Sequence, residues 1–186
     1  MKPFTPKPRP CPVCAKTYMP TKPMQSVCSP RCAVRKVKQA KVEERAKVKT
    51  RKEAIKTIPV LIAEADKAFM AYIRERDRQA GYPCISSGRP LDWSGNQVDA
   101  GHYRSRGAAS HLRYHEDNCH AQSKQDNRYL AGNALEYRAR LIERIGLARV
   151  EALEADNRPH KWTADELRSI RDTYKAKLKE MKRSAT

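Results

Sequence analysis

Apolar positions recur at helical spacing over several stretches of this chain, and these stretches frame the expected architecture. Leu61, Ala65, Ala68, Phe69 and Tyr72, flanked by Ile62 and Ile73, run at that spacing up to Arg78. Pro59 separates them from what precedes, and Gly81 and Pro83 end them. The pattern reads as a core helix, with a partner-binding helix as the alternative. Tyr137, Leu141, Ile142 and Ile145 form a second stripe, stopped by Gly146, and Leu147, Val150 and Leu153 a short third one. Thr163 and Glu166 have the spacing of a capping box. Leu167, Ile170, Tyr174, Leu178 and Met181 then follow near-heptad spacing, which fits packing on the Tyr72 helix or, alternatively, a two-fold dimer seam.

The pattern changes between residues 84 and 103, where a β-hairpin is expected. Ser87-Gly88-Arg89-Pro90 and Trp93-Ser94-Gly95-Asn96 supply turn residues, and Val98 to Tyr103 reads as its second strand. Alternation puts Gln97, Asp99 and Gly101 on one face and Val98, Ala100 and His102 on the other. Asp99 reaches a cation beside His102 only if the strand curls. Gly101 leaves the backbone open to a phosphate there. Ser105 to Ser110 reads as a flexible loop, and Ser123 to Leu130 as a helix ended by Gly132. The class is α+β and mostly helical, in four stretches: residues 1–33, a basic helical arm over 34–58, a core over 59–133 and helical support over 134–186.

Charge narrows the partners. With 39 Lys and Arg against 21 Asp and Glu, the 186 residues carry +18, and the pI is about 9.9. A protein this basic most often binds polyanions, nucleic acid before membrane surface. The run from Ala33 to Thr57 is dense in Lys, Arg, Glu and Ala, while Val34, Val37, Val42 and Val48 make no clean stripe. It is either a solvated helix or linker, or an arm in which Lys36, Lys38 and Lys41 track a phosphate backbone. No apolar run reaches the ~18 residues of a membrane helix. The proline- and lysine-rich start, expected to be disordered over residues 1–10, has no signal-peptide core. Cysteines without an export signal point to a reducing cytoplasm, where thiols bind metal.

Cys11-x-x-Cys14 and Cys28-x-x-x-Cys32 are two close pairs separated by thirteen residues. Four such thiolates wrap around one Zn²⁺ and leave no open position, so this zinc knuckle is structural. The segment is too short to fold on buried apolar surface alone. Downstream, four of the chain's five histidines lie between His102 and His120. A strand-like run ending in His102 beside Gly101, followed by Asn118, His120 and Asn127, is what a small ββα nuclease needs. The histidine would take a proton from water, and one Mg²⁺ or Mn²⁺ would neutralise the phosphate and the leaving 3′ oxygen. Arg104, Arg106 and Arg113 surround this cluster as candidate phosphate contacts. Alone, His111, His115 and His120 read as surface histidines and Cys119 as packing.

The segments DAGHYRSRGA, LRYHEDNCHAQ and NRYLAGN resemble the core of the NinG (Rap) recombination endonucleases of lambdoid phages, a branch of the HNH, or His-Me finger, nucleases. The resemblance runs from about Tyr72 to the C-terminus and extends loosely to the cysteine cluster. It implies that His102 is the general base, Asp99 an active-site acid and ion ligand, Asn118 the middle asparagine and Asn127 the last metal-side residue. His120 matches a further family position and would be a third ligand of the ion beside Asp99 and Asn127. The implied substrates are Holliday junctions and D-loops, and the implied setting is a phage-infected cell with other recombination proteins as partners. One family feature is altered. A second structural zinc site would use the positions of Cys84, Ser87, Ser123 and Asp126, where three of four thiols are replaced. Packing or hydrogen bonds are expected in its place. Two rival functions remain at this point: a catalytically silent zinc-dependent nucleic-acid binder, and an accessory protein that recruits a recombinase through a helix.

Overall fold

A computed structural model of the chain describes residues 5–129 and 133–184, apart from the side chain of Tyr129. It divides into two units, one ending at Lys56 and the other beginning at Thr57.

The first unit is built on its cysteines. A minimal antiparallel pair, β1 (Arg9–Pro10) and β2 (Thr17–Tyr18), folds Cys11 and Cys14 into a tight turn. Part of the stretch expected to be disordered is therefore strand, fixed by Arg9 donating to the Tyr18 hydroxyl at 3.1 Å. Residues 1–4 lie outside the described residues. Ser29 caps α1 (Pro30–Ala54), its hydroxyl accepting from the Cys32 N–H, with proline in the first turn. Cys11, Val27 and Cys32 are the buried residues of this unit's small core. α1 is one 25-residue helix, solvated beyond Cys32, with Lys36, Lys38 and Lys41 all exposed.

In the second unit, α2 (Ile58–Gln79) starts with Pro59 in its first turn, where the missing N–H costs nothing. It buries Leu61, Ala65, Ala68, Phe69 and Ile73. These pack on Ala100 and Cys119 of a two-stranded sheet and on Leu167 and Tyr174 of α5 (Ala164–Ser184). The near-heptad residues of α5 thus meet α2 within the chain. The capping box is present: Glu166 accepts from the Thr163 N–H at 2.8 Å, and Thr163 Oγ1 accepts from the Glu166 N–H at 3.3 Å. A second core joins Tyr137 and Leu141 of α3 (Ala134–Ile145) to Val150 and Leu153 of α4 (Leu147–Ala155). Gly146, at φ +86°, makes the break between these two helices.

The sheet departs from expectation. Residues 84–97 do not form the first strand of a hairpin; they are a run of turns closed by Cys84 N–H to the Arg89 carbonyl and Gly88 N–H to the Cys84 carbonyl. β3 (Val98–His102) pairs instead with a later strand, β4 (Cys119–Ser123), antiparallel, with His102 opposite Cys119 and Asp99 opposite Gln122. The earlier segment contributes one ladder bond, Ile85 N–H to the Ala121 carbonyl at 3.1 Å. His102 therefore ends the first strand of its pair. After β4 the chain turns into a short π-helical segment, Gln125–Tyr129. The expected helix end at Leu130 to Gly132 lies outside the described residues. Ser105 to Ser110 is ordered by turns, with Ala109 N–H bonded to the Ser105 carbonyl at 2.9 Å.

Candidate functional site

The four sulfur atoms of Cys11, Cys14, Cys28 and Cys32 all lie within 4.8 Å of one another. Cys14 and Cys28 Sγ are 3.5 Å apart, and Cys28 and Cys32 Sγ 3.6 Å. A tetrahedron with Zn–S bonds of about 2.3 Å has edges of about 3.8 Å, so the cluster can hold a metal such as zinc. It is the one group of three or more His, Cys, Asp or Glu so placed among the described residues. Because this unit has little other core, Cys28→Ser or a strong chelator is expected to unfold it. Loss of protection of the Cys11–Cys32 amides in hydrogen exchange, with the second unit's amides unchanged, checks this.

A different set of side chains meets at the end of β3. A cleft of about 470 Å³ is lined by Asp99, Ala100 and His102 from β3, Met70 and Arg74 from α2, Ser105 and Arg106, and Asn127 and Arg128. Asp99 and His102 lie on opposite faces of the strand by alternation, yet both reach this cleft. His102 Nε2 lies 2.9 Å from the carbonyl oxygen of Arg113. A carbonyl only accepts, so Nε2 carries the proton and Nδ1 keeps a lone pair. The other contact of the ring is long: Nδ1 to the Cys119 thiol at 3.8 Å, a thiol that burial keeps protonated. Burial also pushes His102 below the ordinary histidine value, against the pull of the Arg113 carbonyl, so the ring is neutral at pH 7.

The carbonyl that holds His102 is itself anchored. Arg113 donates two hydrogen bonds to Asp66 of α2, at 2.7 and 2.6 Å, and Arg106 a third at 2.8 Å. Burial acts against Asp66, but the two guanidinium groups hold its carboxyl below the usual carboxylate range. Asn118 is fully buried and acts in the same way. Its Oδ1 accepts from the Arg104 N–H at 2.8 Å, and its Nδ2 donates to the Arg104 and Leu112 carbonyls at 3.0 and 3.1 Å. It fastens the two ends of the β3–β4 loop and does not line the cleft, so its place is that of a positioning residue.

Asp99 accepts from Asn127 Nδ2 at 3.1 Å and from Arg128 Nε at 2.8 Å. Burial opposes them, but Arg128 and Asn127 hold its carboxyl below the ordinary value. Asp99 and Asn127 are thus brought together beside His102.

His120 is not. It is buried on the sheet face toward α3, its ring 6.4 Å from that of Tyr137. Its Nε2 meets the Asp117 carbonyl at 3.1 Å and its Nδ1 meets Arg76 at 3.0 Å. The expectation that it shares an ion with Asp99 and Asn127 fails, because alternation along β4 points it into a buried charge network.

Arg104 is also redirected. Its guanidinium donates to the Leu153 carbonyl at 2.8 Å and to Asn157 at 2.7 Å, closing the C-terminal end of α4. Arg106 lines the cleft, whereas Arg113 serves the loop. Gly101 has a different reason from the expected one: a Cβ there would lie 2.0 Å from Gln122 Oε1, so the space beside the strand belongs to Gln122 rather than to a phosphate. His111 and His115 line a separate cavity of about 490 Å³ with Trp162.

The positions of the altered second cluster do converge, through hydrogen bonds. Asp126 Oδ2 accepts from Ser123 Oγ at 2.6 Å and from the Cys84 thiol at 3.2 Å, and Ser87 adds a further bond. The Cys84 sulfur accepts from the Ser123 N–H at 3.3 Å. One carboxylate gathers these groups and ties the start of the π-helical segment to the 84–89 turn.

The family model described as "Bacteriophage Lambda NinG protein" matches residues 3–184. The chain belongs to the NinG family. Protein ninG of Salmonella phage P22 is 38% identical to it over 92% of this chain and 91% of its own length. Protein ninG of Escherichia phage lambda is 36% identical over the same shares, and that of Enterobacteria phage H19B 35% identical over 95% and 94%. No solved structure matches the chain. No helix among the described residues is long and apolar enough to cross a membrane. Three cleft or anchor residues in this NinG chain escape sequence reasoning: Asp66, Arg74 and Arg128. The first two sit among the core positions of α2 as ordinary helix-surface charges, and only the fold brings them to His102.

Proposed function

We propose that this NinG protein is a metal-dependent, structure-selective DNA endonuclease that cuts branched DNA such as Holliday junctions and D-loops in phage recombination. One observation carries the reading: His102, its Nε2 held 2.9 Å from the Arg113 carbonyl oxygen, shares a cleft lined by Arg74, Arg106 and Arg128 with the hydrogen-bonded Asp99–Asn127 pair. In this reading β3, β4 and the helical segment after them form an HNH-like ββα-metal finger.

The donor set suits a hard cation. A carboxylate and a carboxamide are two oxygen ligands, and Mg²⁺ binds through one or two protein carboxylates while keeping several waters. Asp99 and Asn127 would hold it, with the Asn127 amide turned so that its oxygen faces the ion and Arg128 released to a phosphate oxygen. A divalent cation there supplies charge neutralisation at the scissile phosphate and the leaving 3′ oxygen. His102 Nδ1 takes the proton of the attacking water, and Arg113 keeps the ring from turning. Arg106 and Arg128 bind the phosphate from the sides of the cleft. Lys36, Lys38 and Lys41 on α1 add sequence-independent backbone contacts.

The test is a labelled four-way junction and a matched linear duplex, incubated with the protein in Mg²⁺, in Mn²⁺ and in chelator. Cutting of the junction that needs a divalent cation is the expected result. Junction binding without cutting under any metal overturns the reading in favour of a zinc-dependent DNA-binding protein.

A further inference from the structure

Arg74 connects two depressions. It lines the His102 cleft and also a neighbouring groove of about 270 Å³, whose walls include Trp93, Asn96, Leu178 and Lys182. Its guanidinium has no hydrogen bond or ion pair among the described residues. The other two arginines of the cleft are held by carboxylates, Arg106 by Asp66 and Arg128 by Asp99. The acid that lines the groove, Glu75, is taken by Arg78 at 2.6 Å and Gln79 at 2.8 Å. A half-buried cation without an acidic partner is free to take an anion from elsewhere.

Trp93 is similarly unpartnered. It is half-buried, and its indole makes no hydrogen bond and no ring contact among the described residues. The turn that carries it is shaped locally by Asp92, which accepts from the Ser94 N–H at 2.9 Å. An aromatic face beside an unpaired arginine is the pairing that binds single-stranded nucleic acid: the cation takes the phosphate and the ring stacks a base. The groove falls just below the ~300 Å³ at which small-ligand clefts begin, which is room for one nucleotide and not for a stack of several.

We propose that this groove is a subsite for one unpaired nucleotide next to the scissile phosphate, with Arg74 on its phosphate and Trp93 stacked on its base. In an intact duplex the base faces are already covered by their neighbours, so Trp93 has nothing to stack on. A branch point or a frayed end offers an open face. The groove thereby gives the cleft a physical means of preferring branched DNA. The assignment rests on the cleft being a DNA site, but not on its cutting DNA.

Binding without turnover tests it. The full-length chain carrying His102→Ala, in buffer free of divalent ions, is titrated by fluorescence anisotropy against a three-way junction with unpaired thymidines at the branch, and against a fully paired duplex of equal length. Adding Trp93→Ala is expected to weaken junction binding at least about fivefold and duplex binding much less, with Trp93→Phe restoring most of the loss. Adding Arg74→Gln should lower the slope of log K against log salt on the junction by about one. Equal losses on both DNAs, no loss on either, or an unchanged salt slope overturns the assignment. A chain that shows these losses but never cuts DNA overturns the endonuclease reading and leaves the groove standing. One that cuts junctions and is indifferent to Trp93 does the reverse.

Discussion

His102→Ala is expected to lower junction cleavage by about 10²–10⁴-fold while junction binding persists, because general-base catalysis is worth that much and the side chain makes no charge contact with DNA. The pH profile gives the sharper check. The base works only when unprotonated, so the rate rises as pH passes upward through the His102 pKa. Burial sets that pKa below the ordinary histidine value, and the Arg113 carbonyl opposes the shift without cancelling it. The acid limb of kcat/KM should therefore lie below pH 6.5, with a plateau at neutral pH. An acid limb above 6.5, or one that survives in His102→Ala, would assign the proton to another group. The ring is pinned from a distance, Asp66 holding Arg113 and the Arg113 carbonyl holding Nε2, so the tautomer that leaves Nδ1 basic is set by α2.

How far the sequence carries this picture depends on the range of the interaction. The cysteine cluster and the Thr163–Glu166 capping box are local, and their spacing alone puts the right atoms together. The juxtaposition of Asp99 and Asn127 near His102 was legible from their order in a motif, not from periodicity. β4 was not legible. Its residues, Cys119 to Ser123, include His120, Gln122 and Ser123, which have weak strand preference, and their polarity suggested site chemistry. Without β4 in view, the turn-rich 84–97 segment is the one candidate partner for β3, and nothing local shows that His120 faces α3 rather than the cleft. The buried polar face of β4 is explained by partners that lie 30 to 45 residues away in sequence, which periodicity cannot see. Gln122 donates to Ser86 at 2.6 Å, and the Ala121 N–H to Asp77 at 2.6 Å.

Asp77 is the centre of that hidden network, and Asp77→Ala should be the most destabilising single change in the second unit. The side chain is fully buried on α2. It accepts from Arg76 Nε at 2.7 Å and from the β4 backbone at Ala121, with His120 Nδ1 and Arg144 Nη1 each 3.7 Å away. Removing it strands Arg76, Arg144 and a strand N–H among themselves. Breaking a buried ion pair from one side costs about 3–5 kcal/mol, a large part of the stability of a small domain. Urea unfolding followed by circular dichroism reads it directly; a loss under about 1 kcal/mol would mean that water reaches the site and screens the charges. Acid titration gives an independent reading. Burial would raise Asp77, but His120 and Arg76 draw it down to about 2, so its contribution is full above the unfolded value of 3.8 and disappears as pH falls toward 2. His120 acts earlier. Burial depresses its pKa despite Asp77, so below pH 6.5 the unfolded chain takes up protons that the folded chain does not, and stability declines from there. The wild type should thus lose stability on acidification in two stages. Asp77→Ala removes the attraction that opposes the depression of His120, so the His120 share of the upper stage should deepen, while the lower stage loses the Asp77 share and keeps those of Asp66 and Asp99.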